Sequence, residues 1–103
     1  MVEMSVEEMS ENCDFVSQKL KIMAHPKRLM ILCVLIEGHK SVGELEKLTN
    51  ISQSQVSQFL KLLRSDKMVD VEKEGNFSYY KIADPKIQKL VENLHSIFCS
   101  KSA

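Results

Sequence analysis

A chain of 103 residues, 44% of them hydrophobic, with three glycines, two prolines and no low-complexity run, is sized for one globular domain spanning 1–103. A domain this small buries a core that is marginal alone. Fourteen Lys and Arg balance fourteen Asp and Glu, no apolar run reaches the roughly 18 residues a membrane span needs, and the acidic N-terminus lacks the basic n-region of a signal peptide. The expectation is a cytoplasmic protein with reduced thiols and no membrane partner.

The zero net charge conceals an uneven distribution. Glu3, Glu7, Glu8, Glu11 and Asp14 occupy the first fourteen residues without a base, so residues 15–103 carry fourteen bases against nine acids, a balance of +5. A basic body with an acidic arm is compatible with phosphate contacts.

In chain order, residues 1–24 predict a first helix with an apolar stripe of Met9, Cys13, Val16, Leu20 and Met23. His25-Pro26 breaks it, and proline at a first helical position opens the next helix. Leu29 to Ile36 (LMILCVLI) is apolar without interruption, which predicts the buried centre of the fold, with Gly38 as the C-cap. A strand is the alternative for that run. Proline before it, glycine after it and its leucine and methionine content favour helix.

Residues 41–65 read as two short helices joined by a three-residue turn. Ser41 with Glu44, and Ser52 with Gln55, fit capping boxes. Val42, Leu45 and Leu48 fall at helical spacing, and Ile51 plugs the turn. In the second helix Val56, Phe59, Leu60 and Leu63 share one side, while Ser54, Ser57, Gln58 and Lys61 share the other. This is the pattern of a helix-turn-helix, whose second helix enters the major groove of double-stranded DNA. Candidate contacts are Ser52, Gln53, Ser54, Gln55, Ser57, Gln58, Lys61 and Arg64. An ordinary solvated surface helix is the competing reading.

The segment that follows favours DNA. Residues 69–82 hold two strand-forming runs, Val69–Lys73 and Phe77–Ile82, around Glu74-Gly75-Asn76, which is hairpin-turn chemistry. A hairpin behind a helix-turn-helix is a wing, with Lys73, Asn76 and Ser78 available to the phosphate backbone or minor groove, and Val69, Val71, Tyr80 and Ile82 closing the core. Asp84-Pro85 starts a last helix, 85–100, with Ile87, Leu90, Val91, Leu94, Ile97 and Phe98 apolar. Terminal helices this hydrophobic predict packing against a second subunit. The expected fold class is mainly α with a small β-hairpin, α-α-α-α-β-β-α, a dimeric winged helix-turn-helix. A homodimer would double the phosphate contacts and match a palindromic operator.

From about Leu20 to Cys99, the segments MAHPKRLMIL, SVGELEKLTNISQSQVSQFLKLLRSDKMV and EGNFSYYKI resemble the ArsR/SmtB group of bacterial repressors. The resemblance implies a homodimer that leaves a palindromic operator when an inducer binds. One departure is Phe59, where many relatives carry histidine, so that Gln58 and Lys61 would carry more of the contact. The family's thiolate metal site needs a C-x-C-like cluster in the first helix of the helix-turn-helix, and VGELEKL has no cysteine. Its zinc site uses paired Asp/His and His/Glu ligands on the last helix. Here Asp84, Glu92 and His95 are present, but Lys86 stands where the first histidine is wanted, so neither metal nor cofactor is expected.

The cysteines resemble a different arrangement, that of the sulfur-responsive branch of the family (the BigR, SqrR and HlyU-like regulators). By that resemblance, reactive sulfur species convert Cys33 and Cys99 into a persulfide and then a disulfide or polysulfide bridge. A direct disulfide needs Cα atoms within about 7 Å, and added sulfurs extend the reach. Considered alone, Cys33 reads as a small buried hydrophobe, and Cys13 reads as a packing residue. Four alternatives remain: a metal sensor using Cys33 and Cys99 with His95 or Cys13, an HlyU-like activator or anti-repressor, a protein-interaction module of dimeric helices that would leave the SQSQVSQ face without a purpose, and an enzyme. The last lacks a glycine-rich phosphate loop, a nucleophile elbow or a carboxylate pair, so no catalytic residue is expected.

Overall fold

A computed structural model of the chain describes residues 4–99, which leaves Glu3 of the acidic arm and position 100 of the expected last helix outside the described residues. The elements are α1 (Val6–Met23), α2 (Pro26–Leu35), α3 (Val42–Thr49), α4 (Gln53–Ser65), β1 (Val69–Glu74), β2 (Phe77–Ile82) and α5 (Pro85–Cys99), in the expected order.

Local chemistry sets the helix ends. Ser5 caps α1 with a full capping box shared with Glu8, at 3.1 and 3.2 Å. His25 caps α2, its Nδ1 accepting from the Lys27 N–H at 3.2 Å, with Pro26 at the first helical position. Gly38 is not the immediate C-cap of α2. Ile36 is still right-handed and its N–H reaches Leu32 O, so the chain leaves through a further turn, and Gly38 reverses it at φ +134°.

One core, made of Met23, Ile31, Leu32, Leu35, Leu45, Ile51, Val56, Leu60, Leu63, Met68, Val69, Ile87 and Val91, draws on every helix, α1 through Met23 as its one buried residue. Leu45, Leu60 and Leu63 are at most 1% exposed, and burial of each contributes about 1.5–3 kcal/mol. The apolar run on α2 is not buried throughout. Ile31, Leu32 and Leu35 face the core, whereas Leu29 and Cys33 are half-buried and Met30 is 48% exposed. A helix apolar on every side presents its second face elsewhere, here to a surface groove beside α5.

The hairpin pairs Val69 with Ile82 through to Glu74 with Phe77, and turns at Gly75 (φ +63°) and Asn76. Two further contacts fix how these parts sit together. Lys40, just before α3, exchanges backbone hydrogen bonds with Tyr80 at 2.9 and 2.8 Å, which ties the entrance of the helix-turn-helix to the wing. Lys19 on α1 donates to the Asp66 carboxylate at 2.9 Å and to its carbonyl at 2.6 Å, which ties α1 to the end of α4.

Candidate nucleic-acid interface and dithiol groove

The helix-turn-helix is built by short-range bonds. Ser41 and Glu44 form a complete capping box at 3.1 and 2.9 Å, and the donated Ser41 N–H holds the Glu44 carboxyl below its ordinary range. Asn50 ends α3 in the left-handed conformation (φ 59°), and Ile51 is buried in the turn. The Thr49 hydroxyl secures this corner, donating to Leu45 O at 2.6 Å and accepting from the Ile51 N–H at 3.3 Å. The second expected box is only half made. Ser52 accepts from the Gln55 N–H at 3.3 Å, but the Gln55 Oε1 accepts instead from Lys27 Nζ at 3.1 Å. A cation on α2 is a stronger donor than a neutral backbone amide, and it draws the side chain away.

On α4, Val56, Leu60 and Leu63 are buried. Ser52, Gln53, Ser54, Ser57, Gln58, Lys61 and Arg64 are exposed, and Gln55 is half-buried. The polar face foreseen from periodicity is therefore open along its length. Phe59 is not part of it. Its ring is half-buried, 5.1 Å from the His25 ring and 5.8 Å from the Arg28 guanidinium, so it docks the recognition helix onto the start of α2.

The wing has two faces of different chemistry, as alternation along a strand requires. One carries Val69, Val71 and Lys73 beside Ile82, Tyr80 and Ser78, apolar at its base and cationic near its tip. The other carries Asp70, Glu72 and Glu74 beside Lys81, Tyr79 and Phe77. There Lys81 pairs with Glu72, and its hydrogen bond holds the Glu72 carboxyl below the usual range. Lys73 and Asn76 are exposed, and Ser78 is half-buried. Between α4 and the wing lies a cleft of about 420 Å³ lined by Ser57, Leu60, Lys61, Arg64, Ser65 and Tyr80. Two cations among hydroxyls form a site suited to a phosphate oxygen. Ser65 and Tyr80 were not foreseen as part of this cleft. The available signal was the alternation that sets Tyr80 on the Lys73 side of the hairpin.

The two cysteines expected to act together line the same groove. Cys33 on α2 is half-buried and Cys99 at the end of α5 is exposed, both as free thiols. They border two adjoining hollows of about 220 and 420 Å³, both also lined by Leu29 and His95, with Leu94 and Phe98 in one and Pro26 and Met30 in the other. Burial pushes the Cys33 thiol above its ordinary range, and negative charge on Cys99 pushes it further. His95 is exposed. Cys13 lies apart, in an apolar hollow on α1 with Met4, Met9, Val16 and Leu20. Among the described residues no group of three or more His, Cys, Asp or Glu side chains is placed to hold a metal ion, and no helix is long and apolar enough to cross a membrane.

Residues 25–71 match the family described as "Bacterial regulatory protein, arsR family". Over 98 residues the chain is 38% identical to the biofilm growth-associated repressor of Xylella fastidiosa, covering 95% of this chain and 86% of that protein. It is also 38% identical over 96 residues to the transcriptional activator HlyU of Vibrio cholerae, covering 93% and 89%. The solved structure of reduced HlyU from Vibrio cholerae superposes with a TM-score of 0.86 at 37% identity, covering 92% of this chain and 100% of that one. With a helix-turn-helix, an adjoining hairpin and likeness to these regulators over more than nine tenths of its residues, the chain belongs to the ArsR family of bacterial transcriptional regulators and has the winged helix-turn-helix fold.

Proposed function

We propose that this regulator binds a palindromic operator as a homodimer and leaves it when reactive sulfur or an oxidant bridges Cys33 to Cys99. The observation that carries this reading is the shared groove: two cysteines far apart in sequence border one hollow between α2 and α5. In the reduced state α4 reads the major groove through Ser52, Gln53, Ser54, Gln55, Ser57 and Gln58. Lys61, Arg64, Lys73, Asn76 and Ser78 hold the backbone. The acidic wing face turns away from DNA, leaving the Lys73 face toward it.

Dimerisation is supported by apolar side chains left uncovered on the terminal helices. Val6 is 80% exposed, Ile97 70% and Phe98 79%, with Met9, Phe15, Val16 and Leu20 also open. The protein works in the cytoplasm, where the thiols stay reduced until sulfur stress. A bridge would tie α5 to α2, and α2 grips the recognition helix through Lys27–Gln55 and through His25 and Arg28 around Phe59. The two half-sites of a dimer lie about 34–36 Å apart, so a small rotation of either recognition helix spoils simultaneous docking. Release can serve either sign of output, since one relative is named a repressor and the other an activator.

The test is a gel shift on a duplex selected from a random library by the reduced protein, run before and after inorganic polysulfide, with intact mass recorded in parallel. Loss of the complex with sulfur added at Cys33 and Cys99, restored by reductant, is expected. Full binding by protein that carries the bridge would overturn the switch.

A further inference from the structure

Resting on that reading of the dithiol, we infer that His95 takes the proton from Cys33 and so enables the step that closes the bridge. Three observations on the structure lead there. His95 borders both hollows that contain Cys33 and Cys99. It precedes Cys99 by four residues on α5, which stacks the two side chains on one helix face. The remaining lining, Pro26, Leu29, Met30, Leu94 and Phe98, is apolar, so among the described residues lining the groove the imidazole is the one nitrogen base, and none of them is a Lys, Arg, Asp or Glu. On its own helix the nearest acid is Glu92, which is exposed and accepts from Gln88 Nε2 at 2.9 Å.

The two thiols have unequal tasks. Cys99 is exposed and meets the donor first. Its thiolate attacks the outer sulfur of a hydropersulfide R–S–SH, forming Cys99–S–SH and expelling the thiolate R–S⁻. The S–S bond of the donor breaks as the new one forms. Cys33 must then attack Cys99 Sγ. It is half-buried, and both its burial and the charge on Cys99 favour the protonated form. An unassisted Cys33 would therefore present little of the nucleophilic thiolate. Transfer of its proton to the His95 imidazole supplies that thiolate inside the groove. The Cys33–Cys99 bond forms, the Cys99–sulfur bond breaks, and HS⁻ leaves, taking up the imidazolium proton directly or through water. When the donor is inorganic polysulfide, attack one sulfur further out leaves a sulfur in the bridge.

The chemistry also predicts order. Persulfide formation on Cys99 needs no help from His95, whereas bridge closure does. Rapid-quench mass spectrometry on the full chain, mixed with inorganic polysulfide between about pH 5.5 and 9, separates the two steps. In the unmodified protein closure should reach its full rate at a lower pH than in a variant that lacks the imidazole, because proton transfer to that base replaces ionisation of Cys33 to water. In His95→Gln the closure rate at neutral pH should fall about 100-fold, the usual scale of a positioned base. That variant's closure should recover only as Cys33 itself ionises at higher pH, while Cys99 persulfidation and reduced-state DNA affinity stay unchanged. A His95→Ala protein should regain closure on addition of free imidazole. Closure in His95→Gln with the pH profile of the unmodified protein, an equal fall in both steps, or no imidazole rescue would each overturn the inference. Cys33→Ser serves as the separate control: DNA release from that variant would defeat the bridge itself, whatever His95 does.

Discussion

Lys61→Ala tests the DNA interface, and its size can be worked from the structure. Lys61 is exposed on α4 and lines the cleft shared with Arg64, Ser57, Ser65 and Tyr80. If it neutralises one phosphate in each subunit, a dimer loses two contacts. Each contact contributes about 0.9 to the slope of log affinity against log salt, so the slope should fall by about 1.8. Across a fourfold rise in salt, from about 50 to 200 mM, the advantage of the unmodified protein over the variant should shrink about tenfold. Fluorescence anisotropy on the selected duplex at several salt concentrations measures this directly. Lys89→Ala, which removes an exposed lysine from α5, should leave the slope unchanged. A Lys61→Ala defect of the same size at every salt concentration would refute the phosphate assignment, as would an equal effect from Lys89→Ala.

Other substitutions probe the scaffold. Phe59→Ala should cost roughly 2 kcal/mol in urea unfolding, about half the 3–5 of a fully buried phenylalanine, because the ring is only half-buried against His25 and Arg28. No change in stability would refute the docking role of that ring. Ser41→Ala removes the hydroxyl that caps α3 and should cost about 1 kcal/mol by the same assay. The Glu44 carboxyl is held below its ordinary range by the Ser41 N–H. Its contribution is therefore present above the unfolded-state value and lost as pH falls through the lower folded value. Glu44→Gln should flatten that acid-side loss in a melting-temperature series, and an unchanged pH profile would count against it.

The parts of the fold that were legible in the sequence are those governed by local rules. The Ser41–Glu44 box, the helical spacing of Val42 and Leu45, and Gly75 at the hairpin turn depend on residues a few positions apart, and each forms as expected. What escaped was decided by partners far along the chain. The Lys40–Tyr80 pair is a single bridge with no periodicity to announce it. Gln55 has the chemistry to complete a capping box, but Lys27 approaches from another helix and takes its oxygen. The α2 run is apolar on all sides, so spacing alone could not show that Met30 turns away from the core while Cys33 sits half-buried at its edge. Periodicity did place Phe59 with Val56 and Leu60, and the ring is indeed turned inward from the polar face. Its partners, His25 and Arg28, became visible only in three dimensions. For the same reason Cys33 and Cys99 could be paired from sequence only through a family resemblance, whereas the folded chain lines one groove with both.

The central claim joins that groove to the DNA-reading face, and one comparison addresses it most directly. Cys33→Ser and the unmodified protein, each bound to the same labelled duplex, are treated with inorganic polysulfide while anisotropy is followed. The account predicts that the unmodified protein releases DNA and recovers it on reduction, while Cys33→Ser stays bound although its Cys99 acquires sulfur. Equal release by the two proteins would contradict it.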